Sequence, residues 1–471
     1  FTDVTSAAGI LANQDTWSPS WGDLNGDGWL DLVMAHWGGN PATTTHFWLN
    51  DGDGTFTASD AAMGYSGFPA TSTDNTFAYN LTDLDLDGDL DVVCASDFIT
   101  SHVYRNDNGT LANITARGVL IDDNGMGCTT GDYDNDGDLD WFVSSVYNAP
   151  FKVGNRLYEN TYAGGAVDST IFADVTSTAG VANGSWGWGS TFQDFDNDGW
   201  LDIYHVNGWR NGFANPPSRL FRNNQDKTFT NVAGTVNANH MGEGRGVVAL
   251  DYDKDGDLDL FLANNDEQAT LLRNDGLTGA NYLSITLTGP PPNIQQVGAK
   301  VRVAIGPNTQ LREIRCGNNY LSQDPINAHF GLGSAATADV VEVDWTDGTT
   351  TTLNNVPANQ YLNISYPGVD APHVSPPVAG GITLLGVAPN PFQVGTVIRF
   401  SLDQGADATV RVYDTAGRMV RTLSEGALPA GRQAVSWDGR DDSGRPVSSG
   451  VYWYKVSTAD NSARGKVVLV R

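Results

Sequence analysis

Apolar and polar positions alternate along most of this chain, in a pattern that returns five times. Each return opens with a Gly- and aromatic-rich stretch, such as residues 17–22 or 185–193. An acid-rich turn follows, then a short apolar run: LDLVMAH, LDVVCAS, LDWFVSS, LDIYHVN and LDLFLAN. A third run carries Asn near its end: HFWLND, HVYRND, RLYENT, RLFRNN and TLLRND. A tight turn then leads to a last run, such as GTFTAS or KTFTNV. Short alternating or apolar runs bounded by turn residues predict strands, and no stretch of helical period competes. The acidic turns begin at Asp23, Asp83, Asp132, Asp194 and Asp251, at intervals of 60, 49, 62 and 57 residues by subtraction. Four strands in about 55 residues make one propeller blade. The expected fold is therefore all-β, with five blades over residues 1–276. The segment that follows could bring the total to seven.

The five turns read DLNGDGWLD, DLDLDGDLD, DYDNDGDLD, DFDNDGWLD and DYDKDGDLD. Alternate acids at positions 1, 3 and 5 turn their oxygens into one concavity. Gly at position 6 permits the sharp reversal, position 7 offers a backbone carbonyl and the acid at position 9 closes the shell. Ca²⁺ takes about six to eight hard oxygens, so each turn is a candidate calcium loop. The candidate ligands are Asp23, Asn25, Asp27, Trp29 and Asp31 in the first, and Asp83, Asp85, Asp87, Asp89 and Asp91 in the second. Asp132, Asp134, Asp136, Asp138 and Asp140 form the third set, and Asp194, Asp196, Asp198, Trp200 and Asp202 the fourth. Asp251, Asp253, Asp255, Asp257 and Asp259 form the fifth. Trp29 and Trp200 enter only through their carbonyls. An EF-hand needs a Glu at position 12 and flanking helices. Position 12 here is Met34, Cys94, Val143, His205 or Leu262, and a strand follows each turn. The loops instead resemble the calcium hairpins of FG-GAP repeats in integrin α-subunit propellers and the related repeats of bacterial surface proteins. That resemblance implies about five structural Ca²⁺ ions, one fastening each blade.

Charge supports this reading. The formal net charge is -29, and 22 of the 55 acids lie in the five turns. Without a cation, each turn holds several carboxylates within a few Å, which costs stability. A polyanion of this size is repelled by nucleic acid and by anionic membranes. No run of 18 apolar residues exists, so no helical membrane span is expected. Cys94, Cys128 and Cys316 make no disulfide framework. They read as buried thiols, with one Cys94–Cys128 bridge as the alternative. Numbering begins at Phe1, inside what reads as a repeat, so a removed N-terminal signal is expected.

Residues 277–366 keep the strands but lose the acidic turn. They carry VGAKV at 297–301, CGNNYLSQD at 316–324, HFGLG at 329–333 and VEVDWTDG at 341–348. This resembles the UnbV (ASPIC) domain that follows such repeats in the cartilage acidic protein family. It implies a β-sandwich-like domain in an extracellular protein and carries over no catalytic residue. Gln323, Asp324 and His329 read as parts of a hydrogen-bonded turn. Residues 367–381, rich in Pro and Gly, read as a linker. Residues 382–471 carry APNPF, VRVYDTAGR, WDGRDDSG and SGVYWYKV. They resemble the Ig-like sandwich of the flagellar hook-capping protein, and equally the sorting domains of some secreted bacterial proteins. That implies export to the cell surface or beyond. The WDGRDDSG loop lacks alternate-acid spacing and reads as a plain turn.

The leading expectation is an extracellular or cell-surface, calcium-binding structural or adhesive protein, able to self-associate into a fibre or layer. Aromatic- and Asn-rich inserts at residues 36–46 and 207–215 motivate an alternative, a receptor for glycans or proteins. His240, Glu243 and Arg245 are placed on one inner strand, as channel filling or a ligand site. A propeller enzyme, such as a polysaccharide lyase, would need paired acids apart from the loops. None stands out, so no catalytic residue and no organic cofactor is assigned.

Overall fold

A computed structural model describes residues 1–10, 15–40, 43–66, 73–98, 100–116, 118–162, 171–209, 216–276, 279–367, 382–388, 390, 392–402, 404–414, 418–458 and 461–470. The five repeats become five successive small sheets. The first runs Thr16–Gly22, Asp31–His36, Phe47–Asn50 and Phe56–Ala58, each strand antiparallel to the next. The second (Thr76–Thr82 through Thr110–Asn113), third (Cys128–Gly131 through Phe172–Asp174) and fourth (Gly187–Gln193 through Phe229–Asn231) keep that order. The fifth has three described strands, Gly244–Leu250, Asp259–Asn264 and Thr270–Leu272. Among the described residues, the fifth sheet therefore lacks the fourth strand expected of each repeat. After Asn274 the chain reads DGLTGA and has no run comparable to KTFTNV.

The apolar cores lie between sheets. Val33 and Phe47 of the first repeat pack with Tyr79, Val92 and Leu111 of the second. The second and third meet through Val93 and Trp141, and the third and fourth through Phe142 and Ile203. Strands Asp31–His36, Asp91–Ser96 and Asp202–Asn207 are buried along their whole length. That is why they read as continuous apolar runs: both faces are covered. The Gly-rich strands of consecutive repeats pack side by side. A Cβ at Gly189 would lie 2.6 Å from the Arg245 carbonyl oxygen, so no larger residue fits.

Residues 277–366 fold as two sheets, neither with blade order. Asn281–Thr288 lies between Ala328–Gly333 and a parallel partner, Gln360–Ser365. The second sheet runs Asn308–Glu313, Lys300–Ile305, Thr337–Asp344, Thr350–Pro357. Leu283, Val301, Phe330 and Trp345 fill the space between. This segment and the repeats form one compact unit, Phe1–Ala371. The joint is the CGNNYLSQD segment, which enters among the inner strands of the repeats. Trp21 N–H donates to Cys316 O (2.8 Å) and Leu321 N–H to Ser18 Oγ (3.0 Å). Ser190 N–H donates to Asn319 Oδ1 (2.7 Å), Asn319 Nδ2 to Val247 O (3.0 Å) and Ala249 N–H to Asp324 Oδ1 (2.7 Å). Buried Tyr320 packs against Trp17, Phe77 and Trp188. Among the described residues, no strand pairing joins the fifth repeat to the first; residues 316–322 stand between them.

The second unit is Pro372–Arg471. One sheet holds Ile382–Ala388, Thr396–Leu402 and Gly431–Trp437. The other holds Met419–Leu428, Ala406–Tyr413, Gly450–Ser457 and Ser462–Leu469. They close over Phe392, Phe400, Val410, Trp437 and Tyr454. Residues 368–381 of the expected linker lie outside the described residues. All three cysteines are free thiols, which removes the Cys94–Cys128 alternative. Trp141 Nε1 donates to Cys128 Sγ (3.1 Å), and burial pushes that thiol up to about 12.

Candidate metal centre

The five acidic turns share one backbone geometry. Gly at position 6 takes φ between 86° and 103° in Gly28, Gly88, Gly137, Gly199 and Gly256. That left-handed region costs glycine little. Position 4 is also left-handed, even where it is Leu86 or Lys254. Oδ1 of the position 1 acid accepts the N–H of position 5 in every turn, from 3.2 Å at Asp27 to 3.0 Å at Asp198. The position 5 acid in turn accepts the N–H of position 7. These bonds curl the loop and leave other carboxylate lone pairs facing inward.

In four turns, three acids bring ligand oxygens within 4.8 Å of one another. The sets are Asp83, Asp85 and Asp91; Asp132, Asp134 and Asp136; Asp194, Asp196 and Asp198; Asp251, Asp253 and Asp255. One calcium ion with oxygens at about 2.3–2.6 Å spans such a separation. Asp196 Oδ1 is buried with no hydrogen-bond donor. A hard, oxygen-only donor set with an orphaned carboxylate oxygen fits Ca²⁺. The first turn has Asn25 at position 3, whose Nδ2 donates to Asp27 Oδ2 (3.0 Å).

The position 9 acid anchors backbone. In each repeat one oxygen of Asp31, Asp91, Asp140, Asp202 or Asp259 accepts the N–H of position 2. The other accepts the N–H of the Asn at or near the end of the third strand, at 2.8–2.9 Å. Burial pushes Asp31 up to about 7, and Asp91, Asp140 and Asp202 well above the ordinary carboxylate range. Burial, followed by neighbouring carboxylates, also lifts Asp85 and Asp257 to about 6 and Asp138 to about 8. Ionising all these acids together requires positive charge. Part of it is already present. Lys300 pairs with Asp83, Lys227 with Asp134 and Arg222 with Asp196.

The third-strand Asn is a structural residue whose role the sequence concealed. Asn106 Nδ2 donates to Leu90 O in its own repeat and to Leu24 O in the preceding one, at 3.0 and 2.8 Å. Asn160, Asn223 and Asn274 do the same with Leu84 O, Tyr133 O and Phe195 O (2.8, 2.8 and 2.7 Å). Asn50, in the first repeat, reaches only Leu30 O. The recurring Asn in HVYRND and RLFRNN was the available signal.

Other candidates fall into place. Asp324 binds Thr191, Ala249 and Asn318, and His329 Nε2 lies 2.7 Å from Asn197 Oδ1. Both act as joints to the repeats, beyond a local turn. Of His240, Glu243 and Arg245, only Arg245 lies on the inner strand Gly244–Leu250. His240 and Glu243 precede it because GEGR carries the chain into the strand as a bend. Arg245 caps Trp188 at 4.3 Å and pairs with Glu243. Trp186 and Trp209 stack at 5.1 Å. Residues 41, 42 and 210–215 of the two inserts lie outside the described residues.

Known families match along most of the chain. The FG-GAP-like repeat matches residues 23–80, 83–143 and 212–262. The ASPIC and UnbV family matches residues 289–371, and the FlgD Ig-like domain residues 391–462. Cartilage acidic protein 1 of Mus musculus is 30% identical over 292 residues, covering 59% of this chain and 43% of that protein. The Homo sapiens protein is 29% identical over 291 residues, with 59% and 42% covered. The chain thus spans less than half the length of these relatives. Among solved structures, PorZ, a surface component of the type-IX secretion system of Porphyromonas gingivalis, is 14% identical. The match covers 94% of this chain and 58% of that one, with a TM-score of 0.38.

Proposed function

Because the chain combines FG-GAP-like repeats, an ASPIC and UnbV domain and a FlgD Ig-like domain, we propose an extracellular structural or adhesive protein with calcium-fastened propeller repeats. The observation that carries this reading is the shared geometry of the five loops, four with clustered carboxylate oxygens. The acids at positions 1, 3, 5 and 9 would hold Ca²⁺, with the carbonyl of position 7, including Trp29 and Trp200. A bound ion supplies positive charge. The chain's own residues supply the loop curl and the Asn links that pass a rigid loop on to the next repeat. The reading includes no catalytic step and no nucleic-acid partner. Calorimetry on EDTA-stripped protein tests it. About five binding events coupled to a higher melting temperature are expected; no binding heat and an unmoved melt would overturn it.

A second reading, glycan binding, rests on the stacked Trp186 and Trp209 with Arg245 beside them. A glycan array without hits would remove it.

A further inference from the structure

We propose that the open edge of the fifth sheet takes its fourth strand from residues 1–4 of a second copy of this chain. The sequence supplies the first reason. Residues 1–9 read FTDVTSAAG and residues 172–180 read FADVTSTAG, identical at seven of nine positions. Phe172–Asp174 is the fourth strand of the third sheet. Residues 1–4 read FTDV against FADV at 172–175, but pair with no strand among the described residues. The turn after them is nonetheless in its repeat position. Phe56 N–H donates to Ala8 O (2.8 Å), as Leu111 N–H donates to Met63 O (2.6 Å) in the next repeat.

The acceptor is built to match. Edge strand Thr270–Leu272 borders a groove of about 680 Å³ lined by Phe195, Leu220, Val232, Leu258, Leu260 and Leu272. In the other repeats this place is filled. Leu111 packs with Leu24, Phe172 with Leu84 and Phe229 with Tyr133, each the position 2 residue of the preceding loop. In the fifth repeat that residue is Phe195. Register follows the same rule. The third-strand Asn always faces the fourth-strand apolar residue: Asn50 Phe56, Asn106 Leu111, Asn160 Phe172 and Asn223 Phe229. Phe1 therefore faces Asn274, and Thr2 faces Arg273. Exposed Leu271 and Val236 at the open edge are the kind of surface that strand addition covers.

The donor is another copy because residues 316–322 separate the first and fifth inner strands, whereas consecutive repeats touch directly. Donor and acceptor surfaces differ, so the contact is head-to-tail and propagates into a fibre unless it closes into a ring. The inference rests on the structural reading above and names its partner.

The test mixes two full-length variants, Thr2→Cys and Arg273→Cys, each adding one cysteine at an exposed position to the three native thiols, under mild oxidation in calcium. A disulfide-linked heterodimer is expected, with a ladder of higher species from the double variant. A double variant that gives only an internal disulfide overturns exchange in favour of self-closure. No cross-link above that of each single variant alone overturns the strand pairing itself. Phe1→Asp, which leaves the folded repeats untouched, should weaken assembly at least tenfold in sedimentation equilibrium with an unchanged melting temperature in dilute solution. Unchanged assembly in that variant would also overturn the proposal. Calcium binding measured on the same samples separates this failure from failure of the metal reading.

Discussion

The repeats and the C-terminal sandwich are both all-β, yet different forces hold them. The sandwich closes two sheets over one apolar core centred on Trp437, and its acidic loops are short surface turns such as Asp441 with Arg445. Each repeat buries its faces against its neighbours and the middle segment, and its acids crowd into loops where burial and like charge raise their pKa values. A small sheet that cannot close its own core must be joined laterally. Here apolar packing between sheets, Asn-to-carbonyl bonds and the CGNNYLSQD segment do the joining.

The largest test of this contrast is calcium removal. Ligand at about a hundred times Kd adds about 2.7 kcal/mol per site, so two or three sites matter against a domain stability of about 5–15 kcal/mol. EDTA should lower the calorimetric transition of the repeats by more than about 10 °C and leave that of the sandwich in place. Transitions that move together would end the comparison. Trp437→Ala is the reciprocal experiment. It should cost about 3–5 kcal/mol in the sandwich alone, read as loss of its transition with the repeats intact.

A pH scan gives a third contrast. His46 is buried between Asp60 (3.2 Å) and Asp74 (2.9 Å), with His36, Tyr65 and Tyr79 beside it. Burial opposes its charge, but the hydrogen bonds to Asp60 and Asp74 outweigh that and raise it to about 9. A folded pKa above the ordinary value gives stability that is complete below about pH 6.5 and lost as pH rises toward 9. The repeats, with calcium present, should lose up to about 3 kcal/mol across that window. His46→Gln should flatten the slope, and the sandwich should show none of it.

The smallest effect separates links within a repeat from links between repeats. Asn106→Ala removes two buried donor bonds and should cost about 2 kcal/mol in urea unfolding, against about 1 kcal/mol for Asn50→Ala. Equal costs would mean that the bond to the preceding repeat contributes nothing.

The acidic loops were legible because their carboxylates lie within nine residues, so spacing alone brings the oxygens together in four of them. The Asn at the end of each third strand was visible as a recurring letter, but its partner carbonyl lies a full repeat away, 82 residues from Asn106. His46, Asp60 and Asp74 carried no signal, since nothing in their spacing brings them together. CGNNYLSQD was legible as a family mark, while its role as a joint depends on strands up to 303 residues distant.

Sequence by itself determined the all-β class, the five-fold repeat, the loop chemistry and the order of the segments. These follow from local alternation, turn residues and charge spacing, which act over a few residues. Tertiary structure alone decided which carbonyl each Asn reaches, that the middle segment enters among the repeats, that the cysteines stay unpaired and that, among the described residues, the fifth sheet keeps an open edge. Those outcomes depend on which surfaces meet, and a repeating pattern says the same thing at every repeat, including the one with three described strands.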